Sequence, residues 1–487
     1  MNQQPRSAVR LMLLFAVLGF VSRARAADAP RPNIVYILSD DHGWADVGFH
    51  HGEIPTPNID SIAAAGARLE QFYVQPLCSP TRACLMTGRY PMRYGFQVGV
   101  VKPHAQYGLP LDERTLPQAL KEVGYETAIV GKWHLGHFQR DYLPTHRGFD
   151  HQYGHYNGAL DYFTHMRDGG LDWHRDDKPL VEEGYSTFLD AKEAVRLINN
   201  RDRNKPLFLY VPFNAVHAPH QVPEKYKEPY TSMPEPRRTY AGMVAAEDEA
   251  IGTILHALDA AGMRDNTLIL FSSDNGGPAP GKVTSNGPLR AGKGTLYEGG
   301  TRVCAAAAWP GHIKPGSEVN APMHMVDWYP TLLKLAGASL EQKHPLDGKD
   351  AWAVITQGAP SAHDEILLNA TPQTGAIRVG DWKLVINGQL HDNGEADEAN
   401  PAAGAKAKGK GKKKGGKKAV GEAGETVELF NLADDPYEKK NLAAENPEKA
   451  KELRSRYDAI ASQAVPPKSA PPAPGYHPPK IWGEPEE

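Results

Sequence analysis

The chain has 487 residues, of which 40% are hydrophobic and 23% charged, and its formal net charge at pH 7 is −4. This length and composition predict a soluble globular protein with one large domain and a smaller companion. The slightly acidic balance argues against a nucleic-acid-binding protein, because such proteins usually carry a surplus of Lys and Arg that neutralises phosphates.

The first 26 residues predict an export signal. Arg6 and Arg10 precede the apolar run LMLLFAVLGFV, and the sequence ARA, which ends at Ala26, fits a cleavage site with small residues. The apolar run is too short to span a bilayer, and we see no other stretch of about twenty apolar residues. We therefore expect a periplasmic or secreted protein that has no membrane span after cleavage.

Four short apolar runs that end in polar residues predict β-strands: NIVYILSDD (33–41), YETAIVGKWH (125–134), PLFLYVPFNAVH (206–217) and TLILFSSDNGG (267–277). Their apolar stretches are nearly continuous, as in parallel strands that are buried on both faces. Two stretches with helical spacing, TLPQALKEVG (115–124) and YAGMVAAEDEAIGTILHALDAAG (240–262), each end at a glycine. The alternation of strands and helices predicts the α/β class.

The sequence changes character after APMHMVDWYPTLLKLAG (321–337), which predicts a helix that ends in glycine and closes the larger domain at 30–338. GAIRVGDWKLVING (375–388) and ETVELFNLADDP (425–436) predict antiparallel strands, and a last helix is expected at about 445–463. Residues 340–487 therefore predict a smaller C-terminal α+β domain.

The Lys- and Gly-rich stretch of this domain, at about 396–424, predicts a solvated, disordered loop. A tether for an anionic polymer is the alternative, and deleting the loop would then weaken polyanion binding at low salt.

Polar residues that follow the predicted strands should meet at one edge of the sheet, since ligands of open α/β sheets bind beyond the carboxyl ends of the strands. These residues are Asp40, Asp41, Lys132, His134, His217, Asp274 and Asn275. Their carboxylate and amide oxygens favour calcium or magnesium over zinc. The alternative is that both motifs, DD and DNGG, form ordinary turns or helix caps.

Three cations and two histidines suggest the chemistry of such a site. Lys132, Lys293 and Arg82 could bind a tetrahedral anion, and His134 and His217 are acid or base groups that titrate near neutrality. Together with a divalent cation, these groups suit hydrolysis of a phosphate or sulfate ester.

The chain has three cysteines, Cys78, Cys84 and Cys304, which is an odd number for an exported protein. One of them should therefore be unpaired or chemically special. The alternative is that all three are simply small, buried hydrophobic residues. Ser79 can cap a helix and Pro80 can take its first turn, which places Cys78 beside a helix N-terminus that favours negative charge. A thiolate is a poor partner for a hard cation, and an oxygen nucleophile would fit better.

PLCSPTRACLMTG (76–88) and GYETAIVGKWH (124–134) resemble the two signatures of the type I sulfatases. In that family a formylglycine-generating enzyme oxidises the cysteine of C-x-P-x-R, and the hydrated aldehyde is the nucleophile. The resemblance implies that Cys78 is the site of this modification. It also implies an alkaline-phosphatase-like fold, in which helices sandwich a mixed, mostly parallel sheet, and a C-terminal domain with an antiparallel sheet.

Carried over position by position, the resemblance implies one calcium ion per chain, held by Asp40, Asp41, Asp274, Asn275 and the modified Cys78.

Roles for the remaining site residues follow from the same resemblance. Arg82 would orient the nucleophile, and Lys132 and Lys293 would hold the sulfate oxygens. His217 would protonate the leaving alcohol. His134 would then take a proton from the second hydroxyl of residue 78, which releases sulfate and restores the aldehyde.

The resemblance covers about 32–340 and reappears in ELFNLADDPYEKKNLA (428–443). Residues 131–165 and HAPHQVPEKY (217–226) are most similar to the arylsulfatase B group of N-acetylgalactosamine-4-sulfatases, which implies a sulfated saccharide substrate of galacto configuration. The alternatives are a phosphodiesterase or phosphonate hydrolase with a similar site, a non-catalytic protein that binds anionic glycans, and a structural calcium-binding module.

Overall fold

The computed structural model describes Met1, residues 31–390 and residues 424–484. The predicted signal peptide, apart from Met1, and the predicted Lys- and Gly-rich loop, apart from Gly424, lie outside these residues. The described residues from Arg31 onward belong to one compact unit, and the boundary near residue 339 stays a prediction. No helix within the described ranges is long and apolar enough to cross a membrane.

A ten-stranded mixed sheet forms the centre of this unit. Its strands are β1 (Asn33–Ser39), β2 (Ala67–Leu69), β4 (Glu126–Lys132), β5 (His151–His155), β8 (His174–Arg175), β9 (Lys178–Pro179), β10 (Leu207–Pro212), β11 (Thr267–Ser273), β13 (Ala305–Ala308) and β14 (Ser317–Val319). They lie in the order β14-β2-β13-β11-β1-β10-β4-β5-β8-β9. The four predicted strands are the adjacent β11, β1, β10 and β4, and each is parallel to its neighbour within this group, as predicted.

Helices lie on both faces of the sheet. Within the described residues, the α-helices include α1 (Pro57–Ala65), α2 (Cys78–Thr87), α3 (Leu116–Glu122), α4 (Ser186–Asn200), α5 (Arg237–Ala260), α6 (Glu298–Thr301), α7 (Trp328–Ala336), α8 (Trp352–Gln357) and α9 (Pro447–Ala461). Successive side chains of β1 point to opposite faces. Ile34 and Tyr36 pack in one core with residues of α2, α3 and α7, whereas Val35 and Ile37 pack in another with residues of α1, α4 and α5. The central strands are therefore buried on both sides, which explains their continuous apolar sequences.

Two short sheets flank the centre. One contains β12 (Arg302–Val303), β3 (Phe72–Tyr73) and β15 (Met323–His324), and the other is the hairpin of β6 (Met166–Arg167) and β7 (Gly170–Leu171).

The prediction of one helix over 321–337 was wrong in its first half. Met323 and His324 pair with β3, and a 3₁₀ turn at Met325–Asp327 precedes α7. The Asp327 carboxylate accepts a hydrogen bond from the backbone N–H of His324 at 2.8 Å, so the helical turn begins after the strand pair. The helix ends at Gly337, as predicted, where φ is 70° and a residue with a side chain would be strained.

The C-terminal residues contain the predicted antiparallel sheet. Strands β16 (Ile366–Ala370), β17 (Gly375–Val379), β18 (Trp382–Ile386) and β19 (Val427–Asn431) lie in chain order, and each pairs antiparallel with the next. The predicted last helix is α9, and it buries Leu453 and Tyr457 in the same core as Ile377 and Leu384 of the sheet.

Candidate active site

The polar residues that follow the central strands lie together at one edge of the sheet. Asp40 and Asp41 follow β1, Lys132 ends β4, and Asp274 and Asn275 follow β11. His134 and His217 follow β4 and β10, and all seven residues are buried. Parallel strands bring their carboxyl ends to the same edge, so the strand order itself assembles this cluster.

The backbone turns sharply at two of these positions. Asp41 has a φ of 62° and His134 a φ of 58°, both in the left-handed region. Asp and His adopt this conformation more often than most residues, but it still costs about 1–3 kcal/mol. Such strain at two residues of one cluster is typical of a functional site.

Cys78 is the first residue of α2, beside the helix N-terminus as predicted, and its Sγ lies 3.6 Å from Asp40 Oδ1. The prediction that Ser79 caps this helix was wrong. Leu77 is the cap residue, and no side chain caps the helix. The Ser79 hydroxyl donates to the carbonyl of His134 at 2.9 Å and accepts from the N–H of Val101 at 3.0 Å, so it joins two loops instead.

All three cysteines of the chain are buried and none forms a disulfide. Cys84 and Cys304 therefore do not pair. Cys84 packs in the core on one face of the sheet and Cys304 in the core on the other face, whereas Cys78 lies among the charged residues.

In the part of the chain that the structure describes, four carboxylate, thiol and imidazole side chains could offer atoms to one metal ion. Single ligand atoms of Asp40, Asp41, Cys78 and His217 all lie within 4.8 Å of one another. Asn275 lies beside them, donating from Nδ2 to Asp41 Oδ1 at 2.7 Å, while its buried Oδ1 has no hydrogen-bond partner among the described residues. An orphaned amide oxygen beside carboxylates fits a hard cation such as calcium.

Arg82 donates hydrogen bonds to two carboxylates of this acidic group, Asp40 and Asp274. It lies four residues after Cys78 on α2, so both side chains project from the same face of the helix. Its guanidinium donates to Asp274 Oδ2 at 2.8 and 3.1 Å, and to Asp40 Oδ2 at 3.2 Å. It also donates to the carbonyl of Lys132 at 3.1 Å. This fully buried cation fixes the positions of both carboxylates.

Two lysines approach the acids from different elements. Lys132 donates from Nζ to Asp40 Oδ2, and the pair is fully buried. Lys293, on the loop between β11 and α6, has its Nζ 3.0 Å from Asp41 Oδ1 and 3.3 Å from His217 Nε2. One ammonium group thus contacts each of the two neighbouring acids, where the two together could bind an anion.

The cluster shifts the pKa values of its acids in opposite directions. Burial opposes ionisation of Asp40, but the positive charges of Lys132 and Arg82 outweigh it and hold the pKa of that carboxyl below its usual range. Burial raises the pKa of Asp274, and the negative charge of Asp40 adds to the rise. Burial likewise raises the pKa of the Cys78 thiol well above its usual value, as do Asp274 and Asp40. An unmodified Cys78 is therefore a neutral thiol and a poor nucleophile.

Backbone carbonyls fix the tautomers of the two histidines. His134 Nε2 lies 3.1 Å from the carbonyl of Val101, which can only accept, so Nε2 carries the proton and Nδ1 is left bare. His217 Nδ1 donates in the same way to the carbonyl of Ala218 at 2.6 Å, which leaves Nε2 toward Lys293. Burial lowers the pKa of both rings, and nearby lysines lower it further.

Sequence reasoning missed two buried groups at this edge. His155 is the register partner of Lys132, and neither of its buried ring nitrogens has a hydrogen-bond partner in the described ranges. His155 is the last residue of β5, whose sequence is HQYGH (151–155). This short polar run after a turn could have indicated the strand. Behind the Asp40–Asp41 pair, Glu247 of α5 accepts from the Ser39 hydroxyl at 2.9 Å and lies 3.4 Å from His42 Nδ1.

The Sulfatase family model matches residues 32–338, which contain the whole cluster. The chain belongs to the sulfatase family. This sulfatase is 38% identical to arylsulfatase J of Mus musculus over an alignment of 492 positions, and the match covers 94% of the chain and 81% of the relative. It is 36% identical over 379 residues to N-acetylgalactosamine-6-sulfatase of Mus musculus, with 72% of the chain and 71% of the relative covered.

A solved structure has the same fold. Ps i-CgsB, in complex with k-i-k-neocarrahexaose, superposes with a TM-score of 0.77 at 31% identity, over 90% of this chain and 94% of that one. The predicted alkaline-phosphatase-like fold and the prediction of a sulfatase enzyme are confirmed. The narrower resemblance to the arylsulfatase B group stays a prediction.

Proposed function

We propose that this sulfatase removes sulfate from a galacto-configured saccharide, using a formylglycine made from Cys78 and one calcium ion. The observation that carries the proposal is the position of Cys78, whose Sγ lies 3.6 Å from Asp40 in a buried acidic group with ammonium groups close by. Burial and the nearby acids raise the pKa of the Cys78 thiol, so the unmodified thiol would be a poor nucleophile. Its conversion to formylglycine would place an oxygen nucleophile at the same position.

The donor set supports both groups. Asp40, Asp41, Asp274 and Asn275 would hold calcium through oxygen, and a bound calcium ion would supply positive charge for the sulfate and the nucleophile. Hydrated formylglycine at position 78 would supply a hydroxyl nucleophile, which suits a hard cation better than a thiolate does. Because Cys78 is fully buried, we expect the formylglycine-generating enzyme to act before the chain folds around it.

The chain's own cations would bind and orient the sulfate. Lys132 and Lys293 are placed to donate to its oxygens, and Arg82 keeps Asp40 and Asp274 in position without leaving the core. Without a metal ion, the formal charges of these three cations balance those of three acids: Asp40, Asp41 and Asp274. A divalent cation therefore makes the site positive, which favours binding of an anionic ester.

The histidines would move protons on two sides of the site. Because Nδ1 donates to a carbonyl, Nε2 is the atom of His217 that can exchange a proton with the substrate. The doubly protonated ring would donate this proton from Nε2 to the oxygen of the leaving alcohol and would return to the neutral form. His134 has its bare Nδ1 available to accept a proton, because its Nε2 is held by Val101.

The substrate class is supported by the relatives. One is an N-acetylgalactosamine-6-sulfatase, and the superposed Ps i-CgsB was solved with a neocarrahexaose. Together with the resemblance of residues 131–165 to the arylsulfatase B group, this favours a sulfated saccharide of galacto configuration. The N-terminal sequence further supports export to the periplasm or the medium.

The test is peptide mass spectrometry across residue 78, combined with sulfate release from sulfated galactose and galactosamine saccharides. The protein should come from an exporting host that has a formylglycine-generating enzyme. We expect the mass of an aldehyde at position 78 and sulfate release that depends on calcium.

Cys78→Ala should lose both signals. Cys84→Ala, a change at a buried cysteine on the same helix, should keep them. Full turnover by a protein whose Cys78 is an unmodified thiol would contradict the proposal.

A further inference from the structure

A cavity of about 600 Å³ lies between the loops at 103–106 and 137–139 and the C-terminal segment 473–484. We call it the tail cavity. Its volume is within the range of small-molecule binding sites in proteins. Much of its lining is aromatic, and the rings are those of His104, His137, Phe138, Tyr476, His477 and Trp482.

The tail cavity is connected to the active site through one loop. Val100 packs against Cys78 in a small apolar cluster, and the next residue, Val101, accepts the hydrogen bond of His134. Two residues further on, the carbonyl of Pro103 accepts from His137 Nε2 at 3.0 Å. Because His137 lies three residues after His134, its Cα is at most about 11 Å away. A short oligosaccharide spans such a distance.

The chemistry of the walls suits a sugar ring. Phe138 is 45% exposed although it is a large apolar residue, and Tyr476 lies edge-to-face with His104, with ring centroids 5.9 Å apart. Aromatic rings pack well against the apolar faces of amphipathic ligands. Gln106 and Gln139 also line the cavity, and their amides can bond to hydroxyl groups.

The C-terminal wall is fixed before any ligand binds. Trp482 is almost fully buried, and its indole N–H donates to the carbonyl of Arg167 at 2.9 Å. Its ring lies edge-on to His137 at 5.3 Å, and its backbone N–H donates to the carbonyl of Leu171 at 3.0 Å. The segment is thus attached to the β6–β7 hairpin, and a preformed wall lowers the entropy that binding must overcome.

We infer that the tail cavity binds a neighbouring sugar unit of the substrate, so that this enzyme acts on oligosaccharide or polysaccharide sulfates better than on monosaccharide sulfates. The inference rests on the proposed function and deepens it, because it assigns a binding site to the part of the glycan that does not react.

The test is kcat/KM for a series of sulfated galactan saccharides of one to six sugar units, measured on the full chain. We expect kcat/KM to rise about tenfold once the chain is long enough to reach the cavity, the effect of one good aromatic contact. Phe138→Ala should lose this rise, and Phe138→Tyr, which keeps the ring face, should retain it.

Val181→Ala is the control, because Val181 is 88% exposed and lies outside the cavity lining. It should retain the rise with chain length. Melting temperatures would show that each variant is folded, and truncation of the half-exposed Phe138 ring should cost little stability.

Two results would overturn the inference. One is a wild-type kcat/KM that does not depend on chain length, and the other is a rise that persists in Phe138→Ala. Both leave the proposed function intact, since sulfate is still released. Failure of the folded, modified wild-type protein to release sulfate from any saccharide of the series would instead overturn the proposed function, and this inference with it.

Discussion

Asp274→Asn tests whether the acidic group is held together by buried charge. The Oδ2 atom of Asp274 accepts two hydrogen bonds from Arg82, at 2.8 and 3.1 Å, and both side chains are fully buried. Removing one partner of a buried ion pair typically costs about 3–5 kcal/mol. Repulsion between Asp274 and Asp40 offsets part of this loss, so we expect about 3 kcal/mol in calcium-free buffer.

Differential scanning calorimetry would measure the effect, which corresponds to a fall in Tm of about 3–6 °C for a chain of this size. The matched control is Asp112→Asn, because Asp112 makes exposed ion pairs with Lys343 and His344 at 2.7 and 2.9 Å. Exposed pairs contribute at most about 1 kcal/mol, so this variant should melt close to the wild type.

The same experiment with added calcium tests the metal-ligand assignment. Calcium should raise the Tm of the wild type, because a ligand that binds only the folded state stabilises it. It should raise the Tm of Asp274→Asn much less. Equal Tm values for Asp274→Asn and Asp112→Asn without calcium would refute the buried-charge reasoning, and equal calcium-induced shifts in the wild type and Asp274→Asn would refute the ligand role.

Three further changes test other parts of the molecule. His217→Ala should lower kcat by about 10²–10⁴ for saccharide sulfates but far less for nitrophenyl sulfate, whose leaving group needs no proton. Equal losses on both substrates would rule out a general acid at this position. Lys383→Met should lower the Tm, because buried Lys383 lies 2.9 Å from both Glu298 and Glu438 and its loss leaves two buried carboxylates. Burial raises the pKa of Glu438 above its usual 4.5, so the folded state holds this proton more tightly, and stability should fall as the pH rises from 4.5 toward the raised pKa. Glu438→Gln should flatten that dependence in melts between pH 5 and 7, and an unchanged slope would contradict the assignment.

Much of the site could be predicted from the sequence. Asp40, Asp41 and Asp274 follow strands whose apolar sequences identify them as central and parallel, and the topology of such a sheet then places their side chains at one edge. The motif around Cys78 carried the resemblance to the sulfatases, which the family match to residues 32–338 confirms.

Ser79 shows why local sequence was not sufficient. Its hydroxyl has the chemistry of a helix cap, but the fold brings the carbonyl of His134 and the N–H of Val101 within hydrogen-bond distance. A tertiary contact of this kind overrides the local preference. His155 was missed for a related reason. It lies at this edge of the sheet because β5 pairs with β4 in a register that places it beside Lys132, and this pairing is a tertiary contact.

The central parallel strands, the chemistry of the residues at their ends and the sulfatase family can be predicted from the amino-acid sequence, because long apolar runs and a dense motif are local signals. The short outer strands and the tail cavity depend instead on contacts between distant parts of the chain. Strand β13 is a run of four alanines with weak β-propensity, and it is a strand because β11 and β2 pair with it on either side. The walls of the tail cavity lie more than 300 residues apart in the chain, and the packing of the folded protein brings them together.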